Sequence, residues 1–139
     1  MGYLFDEDEG VFRYLLRPNS KINKMLCELI LGKDGFSVLS YFNINIEENR
    51  IESLTELLNK INKYTKFTSF VFNADKKEVY CQCYTNCCGV IPSKEIINSS
   101  LFGGIELVAR CGDYLADVAA GKEIEQNELQ KLLDKGLDC

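Results

Sequence analysis

Near Asn49 the period of the apolar residues changes, and that switch excludes most architectures. Before it, apolar residues come in short runs bounded by turn residues; after it, Ile51, Leu54, Leu58 and Ile61 recur at steps of three and four. Such steps line one face of a helix, whereas short bounded runs belong to strands. A chain that opens on strands and then turns helical segregates its elements instead of alternating them.

The runs before the switch are "VFRYLLR" (11–17), ended by Pro18-Asn19, then "KMLCELIL" (24–31) and "FSVLSYFNI" (36–44). The second run is ambiguous by spacing alone, since Ile22, Met25, Leu26, Leu29 and Ile30 suit a helix almost as well as a strand buried on both faces. The glycine-bounded connection "GKDG" decides for a β-hairpin. The helix that follows has Asn49 as its expected cap, Glu52 as the reciprocal acid, and an end near Lys63. "FTSFVF" (67–72) and "EVYCQCY" (78–84) flank "NADKK", a second hairpin with Asn73 and Asp75 as turn residues. Pro92-Ser93 opens the longest helix, striped by Ile97, Leu101, Ile105, Val108, Cys111, Leu115 and Val118, and Gly121 stops it. Gly103-Gly104 inside that helix cost roughly 1 kcal/mol each against alanine, which points to a kink or a close backbone approach.

The expected order is therefore βββ-α-ββ-α: an α+β domain over residues 1–122, with an antiparallel β-sheet and helices packed on one face. A helical tail follows over residues 123–139, with Leu129, Leu132 and Leu133 on one side. A free helix of about 14 residues is marginal in water, so that tail must pack on its own domain or on a partner.

Charge and composition narrow the function classes. A net charge of −5 argues against general affinity for nucleic acid or an anionic membrane. Lys60, Lys63, Lys66, Lys76 and Lys77 interleave with Asp75 and Glu78 and read as a solvated surface. No apolar run approaches the ~20 residues that span a bilayer. The acidic "MGYLFDEDEG" suits neither a signal peptide nor a transit peptide, and Gly2 lacks the downstream Ser or Thr of a myristoylation signal. The expected compartment is cytoplasmic. Seven cysteines without an export signal then read as free thiols. Histidine is absent, which removes the commonest general base and metal ligand.

The segments "FRYLL", "LLNKINKYTKFTSFVFNADKKEVYCQCY", "IPSKEII" and "CGDYLADVAAGK" resemble the YbjN-like family, bacterial proteins associated with sensory-transduction regulation. Leu58, Asn59, Ile61, Asn62, Lys66, Phe67 and Phe70 occupy the family's helix-to-strand pattern, with Thr68 where glycine is usual. The resemblance covers roughly residues 11 to 122. It implies a fold similar to type III secretion chaperones, a curved antiparallel sheet flanked by helices that is commonly dimeric. It implies protein binding or regulation and brings no catalytic residues. Several relatives have a further helix before the first strand, where this chain has only about ten residues.

The stretch "VYCQCYTNCCG" (79–89) holds the densest chemistry. In a strand Cys81 and Cys83 share a face with Val79, with Cβ atoms about 7 Å apart, wider than two thiolates on one zinc. Cys87 and Cys88 fall in the loop beyond, and the usual C-x2-C spacing is missing. The structural reading makes Cys81 and Cys83 core residues, together with Cys27 and Cys111, and leaves Cys87 and Cys88 as the thiols open to reaction.

Other chemistries fit poorly. "KFTSFVFN" is faintly like a base-stacking RNA-recognition strand, but Phe67 and Asn73 contradict the pattern. "DEDEG" (6–10) puts Gly10 where a calcium loop needs a ligand and Arg17 where it needs Glu, so a solvated turn or N-terminal arm is expected. Gly121-Lys122 lacks the rest of a phosphate loop, and no G-x-S-x-G elbow occurs. A carboxylate-dependent enzyme is the least favoured reading, since no residue set names a reaction. The expectation is a non-catalytic interaction or regulatory module, with no cofactor or metal, acting through a homodimer or a partner protein. Its alternative is a thiol or metal sensor built on Cys81, Cys83, Cys87 and Cys88.

Overall fold

The computed structural model describes residues 10–137 in full and residues 3–6 by their backbone. The elements run β1 (Tyr3–Asp6), β2 (Val11–Leu16), β3 (Met25–Leu31), β4 (Gly35–Phe42), α1 (Ile51–Asn62), β5 (Thr68–Asn73), β6 (Glu78–Asn86), α2 (Lys94–Ala119) and α3 (Gln126–Asp134). All strands join one antiparallel sheet in the order β1-β2-β3-β4-β6-β5. The α+β class and the βββ-α-ββ-α progression of the longer elements are as the periodicity implies.

Two local expectations differ. The N-terminal residues do not form only an arm: the backbone of Tyr3–Asp6 pairs with Val11–Tyr14 and extends the sheet. Four residues are too few for a periodic signal, and pairing with the edge of β2 is what orders them as a strand. Of the acidic stretch 6–10, residues 7–9 lie outside the described residues. Asn49 is not the cap of α1 either. Glu48–Arg50 form a 3-10 turn that runs straight into the helix, and Arg50 takes the cap position without a side-chain bond. A tight leading turn of this kind commonly starts a helix.

The other punctuation behaves as its chemistry dictates. Asn73 Oδ1 accepts from the N–H groups of Asp75 (3.0 Å) and Lys76 (3.3 Å), an Asx turn that closes the second hairpin. Ser93 caps α2 by accepting from the Ile96 N–H at 3.2 Å. At the far end Gly121 is left-handed (φ +83°). Its N–H donates to Val118 O and that of Lys122 to Asp117 O, the paired bonds of a Schellman stop.

Strand alternation divides the sheet into two faces. The inner one presents Tyr14, Met25, Cys27, Val38, Ser40, Phe42, Val79, Cys81, Cys83, Thr68 and Phe70, all buried. α1 and α2 supply Leu54, Leu57, Leu58, Ile61, Leu107, Val108, Cys111 and Leu115 to the same cluster. Between kink and close approach, Gly103-Gly104 take the second role, because α2 runs unbroken for 26 residues. A Cβ on Gly104 would lie 2.7 Å from Ser40 Oγ, and one on Gly103 would lie 2.6 Å from Thr68 Oγ1. The helix backbone thus rests on the sheet where the strands offer small side chains. Tyr14 donates its hydroxyl to Leu101 O at 2.7 Å and ties β2 to α2.

The tail packs on its own domain. Leu129, Leu133 and Leu137 are buried in the one core cluster, and Leu132 packs against it. Arg110 donates to Gly136 O at 3.0 Å. The leucine stripe that the sequence leaves free for a partner is thereby occupied.

Candidate functional site: an apolar groove beside a thiol loop

The four clustered thiols separate. Cys81 and Cys83 alternate onto the inner face of β6 with Val79, and both are buried. Burial pushes the Cys81 thiol well above its ordinary range, and those of Cys27 and Cys111 upward, the last to about 12. Thiols held protonated are poor nucleophiles and poor metal ligands. Cys87 is half-buried, and its N–H donates to Asp34 O at 2.8 Å, so it stays tied to the first hairpin. Cys88 alone among the four is exposed, on a left-handed backbone (φ +49°) held by a bond from its N–H to Asn86 Oδ1 at 3.0 Å. Among the described residues no group of three or more Cys, Asp or Glu side chains is placed to hold a metal ion. Nor is any helix long and apolar enough to cross a membrane.

The aromatic strand also resolves into core and surface. Phe70 is buried and meets Phe42 edge-on at 6.3 Å, and Phe72 packs against the same cluster. Phe67, just before β5, is 73% exposed. Of the lysines read as a solvated surface, Lys60 lies on α1, Lys63 at its C-cap, Lys66 in the connection to β5, and Lys76 and Lys77 in the Asn73 turn, where Lys77 pairs with Glu48 at 3.4 Å.

Phe67 borders the feature that sequence spacing did not locate. The ends of β5 and β6 and the first turns of α2 enclose a groove of about 760 Å3. Thr68, Cys83, Ser100, Gly103 and Leu107 line it together with Phe102, Ile96 and Leu137. Its geometry follows from the close contact at Gly103-Gly104. There the helix touches the sheet, and toward its N-terminus the Tyr14–Leu101 bond and the Thr85–Ser100 hydroxyl contact (3.0 Å) bridge the two. Ile96 is 47% exposed. The loop from the groove's β6 wall to its α2 wall, residues 87–93, carries Val90 and Ile91, the latter 91% exposed. Phe67, Tyr84 and Ile96, three large side chains open to water in the lining of one concave apolar surface, mark a recognition site more than a solvated one. The only sequence signal was "GVIPS", two β-branched residues in a loop where polar ones are usual.

β5 is an edge strand, and its edge is blocked. Asn62 at the end of α1 donates from Nδ2 to Phe70 O (2.9 Å) and accepts from the Phe70 N–H through Oδ1 (2.8 Å). Both outward backbone groups of Phe70 are thereby satisfied within the chain.

No protein-family model matches this chain, and neither does any curated protein or any solved structure. The YbjN-like resemblance is carried by the residue pattern alone.

Proposed function

We propose that this protein is a non-catalytic binding module that takes an apolar segment of a partner protein into the groove between α2 and the ends of β5 and β6. The observation that carries the reading is the exposure of Phe67, Tyr84 and Ile96 in the lining of that groove. The YbjN-like resemblance, with its chaperone-like fold, supports the same class of activity. Strand addition along β5 would compete with the Asn62 amide at Phe70, so a helical or compact apolar segment suits the site better than an extended one.

A reporter for apolar surface and a partner capture test this together. Wild-type protein should enhance the fluorescence of an environment-sensitive apolar dye and retain a defined set of cell proteins. Ile96→Glu, at an exposed helix position, should abolish both while leaving the circular dichroism spectrum unchanged. Retention of the same proteins by Ile96→Glu would sink the groove reading. The thiol-sensor alternative now rests on the exposure of Cys88 beside Cys87; it fails if these thiols react no faster than a peptide thiol.

A further inference from the structure

At the end of α2 remote from the groove, one face of α1, the α2–α3 connection and the start of α3 enclose a second cleft, of about 490 Å3. Leu57, Val118 and Ile124 give it an apolar floor. Its charged lining is of both signs: Arg50, Lys60 and Lys122 against Glu56 and Glu123. Among the described residues no ion pair neutralises any of these five. Glu56 and Lys60 stand at the i,i+4 spacing that favours a pair. Lys60 Nζ instead donates across the cleft to Gln126 Oε1 at 3.4 Å. Arg50 Nε is the one buried side-chain polar atom among the described residues with no hydrogen-bond partner. A guanidinium left so is costly until an anion compensates it. Gly121 makes room for it, since a Cβ there would lie 3.3 Å from Nε. The N-terminus of α3 adjoins the same cleft through Ile124 and Gln126, and its cap residue Glu125 makes no side-chain cap bond.

We propose that this cleft binds a small zwitterion with an apolar body, a free α-amino acid with an aliphatic side chain. The unpaired charges of both signs select that class. A polyanion would meet Glu56 and Glu123, and a polycation would meet Arg50, Lys60 and Lys122. A planar carboxylate matches the Arg50 fork, and the uncapped start of α3 favours the same group. The ammonium group is matched by the carboxylates of Glu56 and Glu123, and a branched aliphatic chain covers the floor of Leu57, Val118 and Ile124.

The cleft is independent of the groove, since Ile96 and Val118 stand at opposite ends of the 26-residue α2. An NMR titration of the isotope-labelled full chain with L-leucine, at constant ionic strength, tests the proposal. Leucine should shift amides of α1 and of the α2–α3 connection, saturating with a Kd of about 1 mM or tighter. Isocaproate, which lacks the ammonium, and isopentylamine, which lacks the carboxylate, should each bind at least about tenfold more weakly. Arg50→Gln should weaken leucine binding by at least about the same factor. The double variant Glu56→Gln/Glu123→Gln, at two exposed positions, should weaken leucine but not isocaproate, and serves if Arg50→Gln loses its circular dichroism signature. Ile96→Glu should leave leucine binding unchanged, which separates this cleft from the groove. No saturable shift with leucine up to about 20 mM would overturn the proposal. So would isocaproate or isopentylamine binding as tightly as leucine, or an unchanged leucine affinity in the double variant.

Discussion

Cys27, Cys81 and Cys111 are residues whose chemistry is set by where they sit. All three are fully buried and all three thiols are pushed upward, chiefly by desolvation. In the unfolded chain the same thiols ionise near their ordinary value of 9.0. The native state then holds protons that the unfolded state has released, so stability is complete below that value and falls as pH rises through the native pKa, about 12 for Cys111. The expected slope is up to ~1.4 kcal/mol per pH unit for each buried thiol. Urea unfolding at about pH 7, 9 and 10 should show the midpoint dropping only above about pH 9, and Cys111→Ala should flatten that drop. A midpoint that rises through that interval would contradict the placement of these thiols. Their burial was legible beforehand, because Cys81 and Cys83 share a period-two face with Val79 and Cys111 falls on the stripe of α2. The placement of Cys87 was not, because a loop has no period to read.

Among the elements, the junction of α1 with β5 does more than connect them. A helix ending beside an edge strand can present one side chain to that strand's open backbone, and Asn is suited to it because its amide both donates and accepts. Asn62 does this at Phe70. Asn62→Leu keeps the size but removes both bonds, and should lower unfolding stability by about 1–3 kcal/mol. It also bares an edge, so light scattering should rise with concentration and time relative to wild type. A loss of stability with no change in scattering would mean that the amide supports β5 without guarding it. The Gly103-Gly104 contact is the second junction of this kind. The pair announced itself in the sequence as two poor helix formers in a long helix, but the choice between kink and close approach depended on Ser40 and Thr68, which are far away in the chain.

For the molecule as a whole, the tail is the element that closes the core. Leu129, Leu133 and Leu137 are buried with α1, α2 and the inner sheet face, so residues 124–137 share the one core. Leu133→Ala should cost about 2–5 kcal/mol, the range for a large-to-small change in a packed core, read as a lower denaturant midpoint in one transition. Two transitions would instead mean that the tail melts separately. Strand and helix periods, turn residues and caps are local, and they carried the element order, the two hairpins, the Ser93 start and the Gly121 stop of α2. Inner and outer faces were readable too, since alternation in a strand is a property of adjacent residues. What α2 and the tail cover, where the groove opens, and which edge Asn62 blocks depend on contacts between residues dozens of positions apart. Those contacts leave no periodic trace, so only the packed chain displays them.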